Sequence, residues 1–502
     1  MHWRPPQERG RKTDGSCRWR NHWARSLHPA RSAPLATRLT KHFPRNPTAS
    51  FIIVFHFRSN EPSTIEPGSR LQSSRLLDKP LAVIGVWFAL CALTLFGSPN
   101  FEWGNELGST PYGADFLQEW VGARMILTGH SSDLYNPEVF QAWQHDPSVV
   151  GFAWDVDQYY PAVYPPIHYA FYALLACIPY RIATMVWVGV LWGAVLASAK
   201  LITDIAANAF SPDPTDQQRV RDRMRHIWIA LVFFPPVHFS IILGQKSVLW
   251  LLVLCIVCRL LQMRRELTAG CIFALLAVKP TLFFLIPLLM FRQGRYRFCS
   301  GIALGIVCLF GLGALTIPTA TWLEYFRSIG DPTTYANHSG YRLDWSCNII
   351  ALANALPHGW VAWGKFALCV PLAVYVGLCV FQHRLNPTSP DFFLVAIAGT
   401  ALLSPHTYHY DMCLFMLPVL WAFADRPQTS IAYYALLSVA IAASPNVVDF
   451  LGIPIVAILL IGILSEFRLR NWAANQLETP FCKHKVNVSP VAHKLYSSHI
   501  DA

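Results

Sequence analysis

The sequence predicts an all-α membrane protein, a polytopic helical bundle with about 12 transmembrane crossings and a large external first loop. Hydrophobic residues make up 53% of the 502-residue chain and charged residues only 14%, whereas soluble domains carry about a quarter charged residues. The apolar residues also fall in long runs, such as 183–202 and 447–464. At about 1.5 Å per helical residue, each run crosses most of a bilayer core.

The net charge of +11 is concentrated at the N-terminus, where residues 1–77 hold 14 Lys and Arg against 4 Asp and Glu. The nearly neutral remainder fits a bilayer-embedded body and argues against a nucleic-acid partner. We expect a basic, disordered extension over 1–78, a membrane domain over 79–470 and a polar cytoplasmic tail over 471–502. Two other interpretations of the extension stay open: residues upstream of the true translation start, or a functional basic arm.

The charge distribution also predicts the orientation in the membrane. Three basic residues precede the first apolar run, 81–97, so the positive-inside rule places the N-terminus in the cytoplasm. The loop over 98–160 holds nine acids and one basic residue, Arg124, as expected of an external loop. If 164–178 is an interfacial helix that does not cross, all later arginine clusters fall inside. The prediction is an inner (plasma) membrane protein with both termini cytoplasmic.

Lys279 is a charged residue inside the apolar stretch 267–291 and is followed by Pro280. An uncompensated lysine at mid-helix depth costs about 3 kcal/mol, so we expect it to meet an anion, a cavity or water. The proline frees backbone groups and predicts a hairpin broken at this point. Either Lys279 extends to the interface, or its ammonium group binds a lipid phosphate.

Residues 404–411 contain two histidines, two tyrosines and an aspartate between two apolar runs. Helical spacing would put His406 and His409 on neighbouring positions. The cluster is either an interfacial aromatic belt or a substrate site that includes Tyr410 and Asp411. A metal site would need a third ligand that the pattern does not assign, so we predict neither a metal nor another cofactor.

Asp115 follows the first apolar run closely enough to reach a substrate carried by a lipid. Its neighbours Gly113 and Ala114 are small, and Tyr112 and Phe116 are aromatic rings that could stack on that substrate. A solvated loop carboxylate is the alternative. Asp155 and Asp157 form a second acid pair, of the kind that binds a divalent ion.

Phosphate-binding motifs are absent from the sequence, and no sizeable cytoplasmic domain is available to hold a nucleotide. An activated donor would therefore arrive as a lipid conjugate. Over about 81–464 the chain resembles the integral-membrane GT-C glycosyltransferases of family 87, the group around polyprenol-phosphate-mannose-dependent alpha-1,2-mannosyltransferases. The residues that carry the resemblance are Gly113-Ala114-Asp115-Phe116, the stretch 123–129 leading to Tyr135, Tyr164-Pro165-Pro166, Gly244-Gln245, Lys279-Pro280, and Ser404-Pro405 leading to Tyr410-Asp411.

The resemblance implies a GT-C-like bundle and a hexosyltransferase. The reaction would be an inverting transfer of a mannose-like hexose from a polyprenyl-phosphate sugar to a lipid or glycan acceptor on the non-cytoplasmic face. Asp115 would be the general base. The roles implied for the other residues are donor-phosphate binding by Lys279, Gln245, Arg124, His406 and His409, and substrate binding by Tyr164, Tyr410 and Asp411.

A secondary transporter or flippase is the main alternative, because about 12 crossings is also a transporter count. Transporters usually have paired halves, however, and the acidic loop after the first run has no counterpart in the second half. A polysaccharide polymerase or ligase would usually place its large external loop late in the chain.

Overall fold

The computed structural model describes residues 80–97, 113–154, 159–210, 213–330, 346–354, 356, 361–381, 385–451 and 454–477. The predicted N-terminal extension lies outside the described residues, as do Tyr112, Asp155 and Asp157. The last described helix, Ile455–Leu477, runs past residue 470, where the polar tail was predicted to begin.

Within these ranges the secondary structure is helical, apart from an isolated antiparallel bridge between Ser346 and Tyr408. The all-α prediction is confirmed for this part of the chain. The α-helices are Pro80–Gly97, Ala114–Leu127, Pro137–His145, Pro147–Val150, Pro166–Ala170, Ala173–Ala176, Tyr180–Phe210, Pro214–Arg223, Ile227–Val232, Pro235–Ile242, Ser247–Gln262, Glu266–Phe273, Leu285–Arg292, Tyr296–Thr316, Thr319–Gly330, Ile349–Asn354, Val361–Phe381, Pro390–Leu403, Met416–Ala422, Pro427–Leu451 and Ile455–Leu477. The 3₁₀ helices are Ser131–Asp133, Ala274–Val278, Pro280–Leu282 and His409–Phe415.

Two helices in the described ranges, Tyr180–Phe210 and Tyr296–Thr316, are long and apolar enough to cross a membrane. Much of the apolar surface of the second faces outward: Val307 is 68% exposed and Leu315 is 87% exposed. Large exposed apolar faces of this kind suit lipid rather than water. Shorter apolar helices accompany these two, and together they indicate a membrane protein. The count of about 12 crossings stays a prediction.

The described part of the predicted external loop is built into the core. Helix Ala114–Leu127 lies within the predicted loop, yet ten of its 14 residues are buried. Trp120 Nε1 donates hydrogen bonds to the carbonyls of Leu175 (3.0 Å) and Ile178 (3.2 Å). The stretch 164–178 forms two short helices, Pro166–Ala170 and Ala173–Ala176, instead of one long helix.

The helical hairpin breaks at the predicted position. Helix Glu266–Phe273 continues as the 3₁₀ helix Ala274–Val278, and Lys279 then leaves helical geometry with φ −132° and ψ 64°. The first arm of the hairpin packs closely on helix Tyr296–Thr316. A Cβ atom on Gly270 would lie only 2.1 Å from the Phe298 carbonyl oxygen. Small residues allow this close approach of two membrane helices, which fixes the arm that ends at Lys279.

Candidate active site

A glycine turn connects two apolar helices beside the site. Helix Pro235–Ile242 ends where Gly244 takes a left-handed conformation, with φ +73°. The Gln245 N–H donates to the Ser240 carbonyl (2.7 Å) and the Gly244 N–H to the Ile241 carbonyl (3.1 Å), the hydrogen-bond pattern of a glycine-terminated helix. Helix Ser247–Gln262 begins three residues later. The turn therefore presents three consecutive polar residues, Gln245, Lys246 and Ser247, each at most 5% exposed.

This turn also holds the start of helix Ala114–Leu127. The Gly113 N–H donates to the Ile242 carbonyl (3.2 Å) and the Asp115 N–H to the Leu243 carbonyl (3.0 Å). A Cβ atom on Gly244 would lie 2.7 Å from Phe116 Cβ, so the two backbones touch without room for a side chain. The position of Asp115 is therefore set by backbone contacts.

Asp115 lies half-buried in the first turn of its helix, which excludes the solvated-loop interpretation. Gln245 Nε2 donates to Asp115 Oδ2 over 2.5 Å. Burial raises the pKa of Asp115 above its usual value near 3.8, and the Gln245 hydrogen bond with the Lys246 and Lys279 charges offsets only part of the rise. A carboxylate with a raised pKa is a better proton acceptor than a solvated carboxylate.

The predicted stacking role of Phe116 is wrong. The ring is 0% exposed and stacks on Trp187, with 5.3 Å between ring centroids and 12° between planes. It points into the protein because helix Ala114–Leu127 buries that face, while Asp115 stays at the edge of the site.

Lys279 meets an anion inside the protein. Its Nζ lies 3.1 Å from both carboxylate oxygens of Asp411, and only 11% of the lysine side chain is exposed. Asp411 also accepts hydrogen bonds from Ser247 Oγ (2.7 Å) and the Tyr408 N–H (3.2 Å). Tyr410 borders the pair, with its ring centroid 5.4 Å from Lys279 Nζ. Lys279 is therefore anchored at the site instead of extending to an interface.

A second buried ion pair lies next to Asp115, and sequence reasoning missed it. Lys246 pairs with Glu119, and Nε2 of His168 lies 3.3 Å from both Lys246 Nζ and Glu119 Oε1. Lys246 Nζ also lies 3.9 Å from the ring centroid of Tyr164. Two signals in the sequence could have found the pair: Lys246 interrupts an apolar stretch much as Lys279 does, and Glu119 follows Asp115 by one helical turn.

The turn joins three acids that are distant in sequence. Gln245 bonds to Asp115, Lys246 pairs with Glu119, and Ser247 bonds to Asp411. The charges of Lys246, Lys279 and Asp411 all act on Asp115. The structure thus brings together six predicted residues: Asp115, Gln245, Lys279, Asp411, Tyr164 and Tyr410.

The other three predicted site residues have different surroundings. Arg124 donates to the Ala176 carbonyl (2.9 Å) and lies nine residues, or about 14 Å, along the helix from Asp115. His409 is buried, with Nε2 2.8 Å from Ser444 Oγ. His406 lies near the Lys279–Asp411 pair. Burial lowers the pKa of His406, and the Lys279 charge lowers it further.

The predicted helical spacing of His406 and His409 is wrong, since the 3₁₀ helix begins only at His409 and Tyr408 before it is extended. The two rings consequently lie in different surroundings. Among the described residues, no group of three or more His, Cys, Asp or Glu side chains is arranged to hold a metal ion.

The helices and the site define a membrane protein in which two lysines and three acids meet beside a glycine turn. Residues 162–405 match glycosyltransferase family 87, which confirms the resemblance predicted from the sequence and indicates a glycosyltransferase. Tyr164, Gln245 and Lys279 lie within the matched residues, whereas Asp115 and Asp411 lie on either side of them. No significant match was found among the curated proteins or the solved structures.

The Gly244 turn provides a test of this arrangement. Gly244→Ala places a side chain in a left-handed conformation and against Phe116, whereas Gly129→Ala, with φ +83° and open space around it, meets only the conformational penalty. We expect Gly129→Ala to cost about 1 kcal/mol and Gly244→Ala about 1–3 kcal/mol more. Thermal unfolding of the purified variants measures both. Equal melting temperatures would contradict the close contact.

Proposed function

We propose that the chain transfers a mannose-like hexose from a polyprenyl-phosphate sugar to a lipid or glycan acceptor on the non-cytoplasmic face of the inner membrane. The observation that carries the proposal is the common site of Asp115 and Lys279. Gln245 bonds to Asp115, and Ser247, two residues further on, bonds to Asp411, which pairs with Lys279. A proton acceptor and a cation at one site are the two groups that this reaction needs. The family match favours this enzyme over a transporter or flippase.

In the proposed reaction Asp115 accepts the proton of the acceptor hydroxyl. The hydroxyl oxygen forms a bond to the anomeric carbon from the side opposite the phosphate, so the configuration inverts. The bond between the anomeric carbon and the phosphate oxygen breaks, and the lipid phosphate leaves with the electron pair. Lys279 stabilises the negative charge that develops on this phosphate.

Neighbouring residues hold these two groups in place. Gln245 bonds to one oxygen of Asp115 and leaves the other for the acceptor hydroxyl. Asp411 fixes Lys279 through both carboxylate oxygens, so its substrate role is indirect. We place the sugar beside Tyr164 and Tyr410, whose rings border Lys246 and Lys279.

The three remaining predicted residues take secondary roles. His406, near Lys279, adds a hydrogen bond to the phosphate. His409 anchors the 3₁₀ helix through Ser444, and Arg124 anchors the interfacial stretch through Ala176.

The membrane supplies both substrates in this proposal. Exposed apolar helix faces suit contact with lipid, and we place the polyprenyl tail along them. About 12 crossings with both termini cytoplasmic would put the turn at Gly244 and the segment 404–411 on the external side, where lipid-linked sugars are used. The proposal involves neither a nucleotide nor a nucleic acid.

Asp115→Asn tests the general base, because the amide keeps the shape and a hydrogen-bonding oxygen but does not accept the proton. We expect the transfer rate to fall by about 100- to 10,000-fold. The assay is transfer of radiolabelled mannose from polyprenyl-phosphate mannose in proteoliposomes, with polyprenyl-phosphate glucose in parallel. Glu138→Gln, on an exposed helix start, is the matched control and should be silent. Retention of more than about a tenth of the rate would refute the assignment.

Lys279 needs a paired design, because Lys279→Met also leaves Asp411 as a buried charge without its cation. Loss of one partner of a buried pair costs about 3–5 kcal/mol, so this variant should melt at a lower temperature. The double variant Lys279→Met/Asp411→Asn removes both charges and should recover much of the stability.

Donor affinity separates the two roles of Lys279. If its ammonium binds the phosphate, the double variant stays deficient in binding of polyprenyl-phosphate mannose although it is folded. If Lys279 only neutralises Asp411, the double variant binds the donor as the wild type does, and the phosphate role is wrong.

A further inference from the structure

The Glu119–Lys246 pair is the most deeply buried ion pair in the described chain, with side chains 1% and 3% exposed. Burial of two charges is costly and adds little stability by itself. The second carboxylate oxygen, Glu119 Oε2, has no hydrogen-bond partner among the described residues. Glu119 therefore depends on Lys246 and His168, and the pair calls for an explanation beyond folding.

The position of the Glu119–Lys246 pair beside Asp115 suggests such an explanation. Glu119 and Asp115 are one helical turn apart on the same helix, a spacing that brings Cβ atoms to about 5–6 Å. Two carboxylates this close oppose each other's ionisation. Lys246 and Gln245 are neighbours on the turn. The Gln245 side chain bonds to Asp115, and the Lys246 ammonium lies beside Glu119.

His168 does not supply the missing charge. It lies 3.3 Å from Lys246 Nζ, but burial lowers its pKa to about 3, so the ring is neutral near pH 7. Burial, and after it the Lys279 charge, lower the pKa of Lys246 well below its usual value, whereas direct contact with the Glu119 carboxylate favours the ammonium form. Within the pair we assign the positive charge to Lys246. The titratable or charged groups around Asp115 come from several elements. Glu119 lies one turn along the same helix. The others are Lys246 on the turn, Lys279 on the hairpin, Tyr410 and Asp411 on the 3₁₀ helix, Tyr160 and Tyr164 before helix Pro166–Ala170, and Tyr180 at the start of helix Tyr180–Phe210.

We propose that Lys246 is a positioning residue whose positive charge favours the ionised, proton-accepting form of Asp115, and that its partner Glu119 moderates this effect. This inference rests on the proposed role of Asp115 as the general base. In this proposal Lys246 bonds to neither the acceptor nor the donor. Lys246 acts through the charges around Asp115. The negative charge of Glu119 limits how strongly the Lys246 ammonium favours the ionised form of Asp115.

The two partners should then change the pH dependence in opposite directions. Lys246→Met removes a positive charge, so the pKa of Asp115 rises and the acid limb of the kcat/KM profile moves to higher pH. Glu119→Gln removes a negative charge, so the same limb moves to lower pH. A unit charge about 7 Å away at an effective dielectric constant of about 20 shifts a pKa by about one to two units.

The experiment compares pH profiles of transfer from polyprenyl-phosphate mannose for the wild type, Lys246→Met, Glu119→Gln and the double variant. In the double variant the two effects oppose each other, and the limb should return towards its wild-type position. Lys200→Met, at an exposed lysine on helix Tyr180–Phe210, and Glu138→Gln are the matched controls and should not shift it.

Each outcome decides the proposal. Opposite shifts support it, whereas shifts in the same direction, or a fall in rate with no shift, would assign Lys246 a purely structural role. If Lys246→Met does not fold, Glu119→Gln and the double variant still decide the question by the direction in which the acid limb shifts.

A fully active Asp115→Asn would instead overturn the proposed role of Asp115 as the base. If Asp115→Asn is inactive and the limbs do not shift, this inference alone fails.

Discussion

Gly244 allows the chain to turn between two apolar helices without a side chain, and the site depends on that turn. Its left-handed backbone ends one helix, and its missing Cβ lets Phe116 of another helix rest against it. The three residues after it then bond to acids from two other elements. A larger residue would push helix Ala114–Leu127 away, and with it Asp115 and Glu119.

The charge arrangement around this turn explains why Asp115 differs from its neighbours. Asp411 is paired with Lys279, and Glu119 is paired with Lys246. Asp115 has no ion pair within the described residues and is bonded to the neutral amide of Gln245. It keeps capacity to accept a proton, while the two lysines maintain a favourable field for its ionised form. In the proposed reaction these buried charges, which add little stability by themselves, set the protonation of the base.

Local patterns in the sequence predicted the features that local physics determines. Apolar runs predicted the helices, and Lys279-Pro280 marked the break in the hairpin, because a proline and a charge both disfavour a continuous apolar helix. The Glu119–Lys246 pair was missed because its partners lie far apart in sequence: the local signals mark Lys246 and Glu119 separately, and only tertiary packing brings the two side chains together. The positions of Phe116, His406 and His409 were misjudged because which face a helix buries, and where a 3₁₀ helix begins, depend on tertiary packing.

The central claim is that one site holds the lipid phosphate at Lys279 and the reacting hydroxyl at Asp115. A cryo-electron microscopy structure of Asp115→Asn with polyprenyl-phosphate mannose tests it most directly, because the variant binds the donor without turning it over. The account predicts the phosphate in contact with Lys279, the mannose between Tyr164 and Tyr410, and the anomeric carbon facing residue 115. A donor phosphate bound away from Lys279, with the sugar out of reach of residue 115, would contradict it.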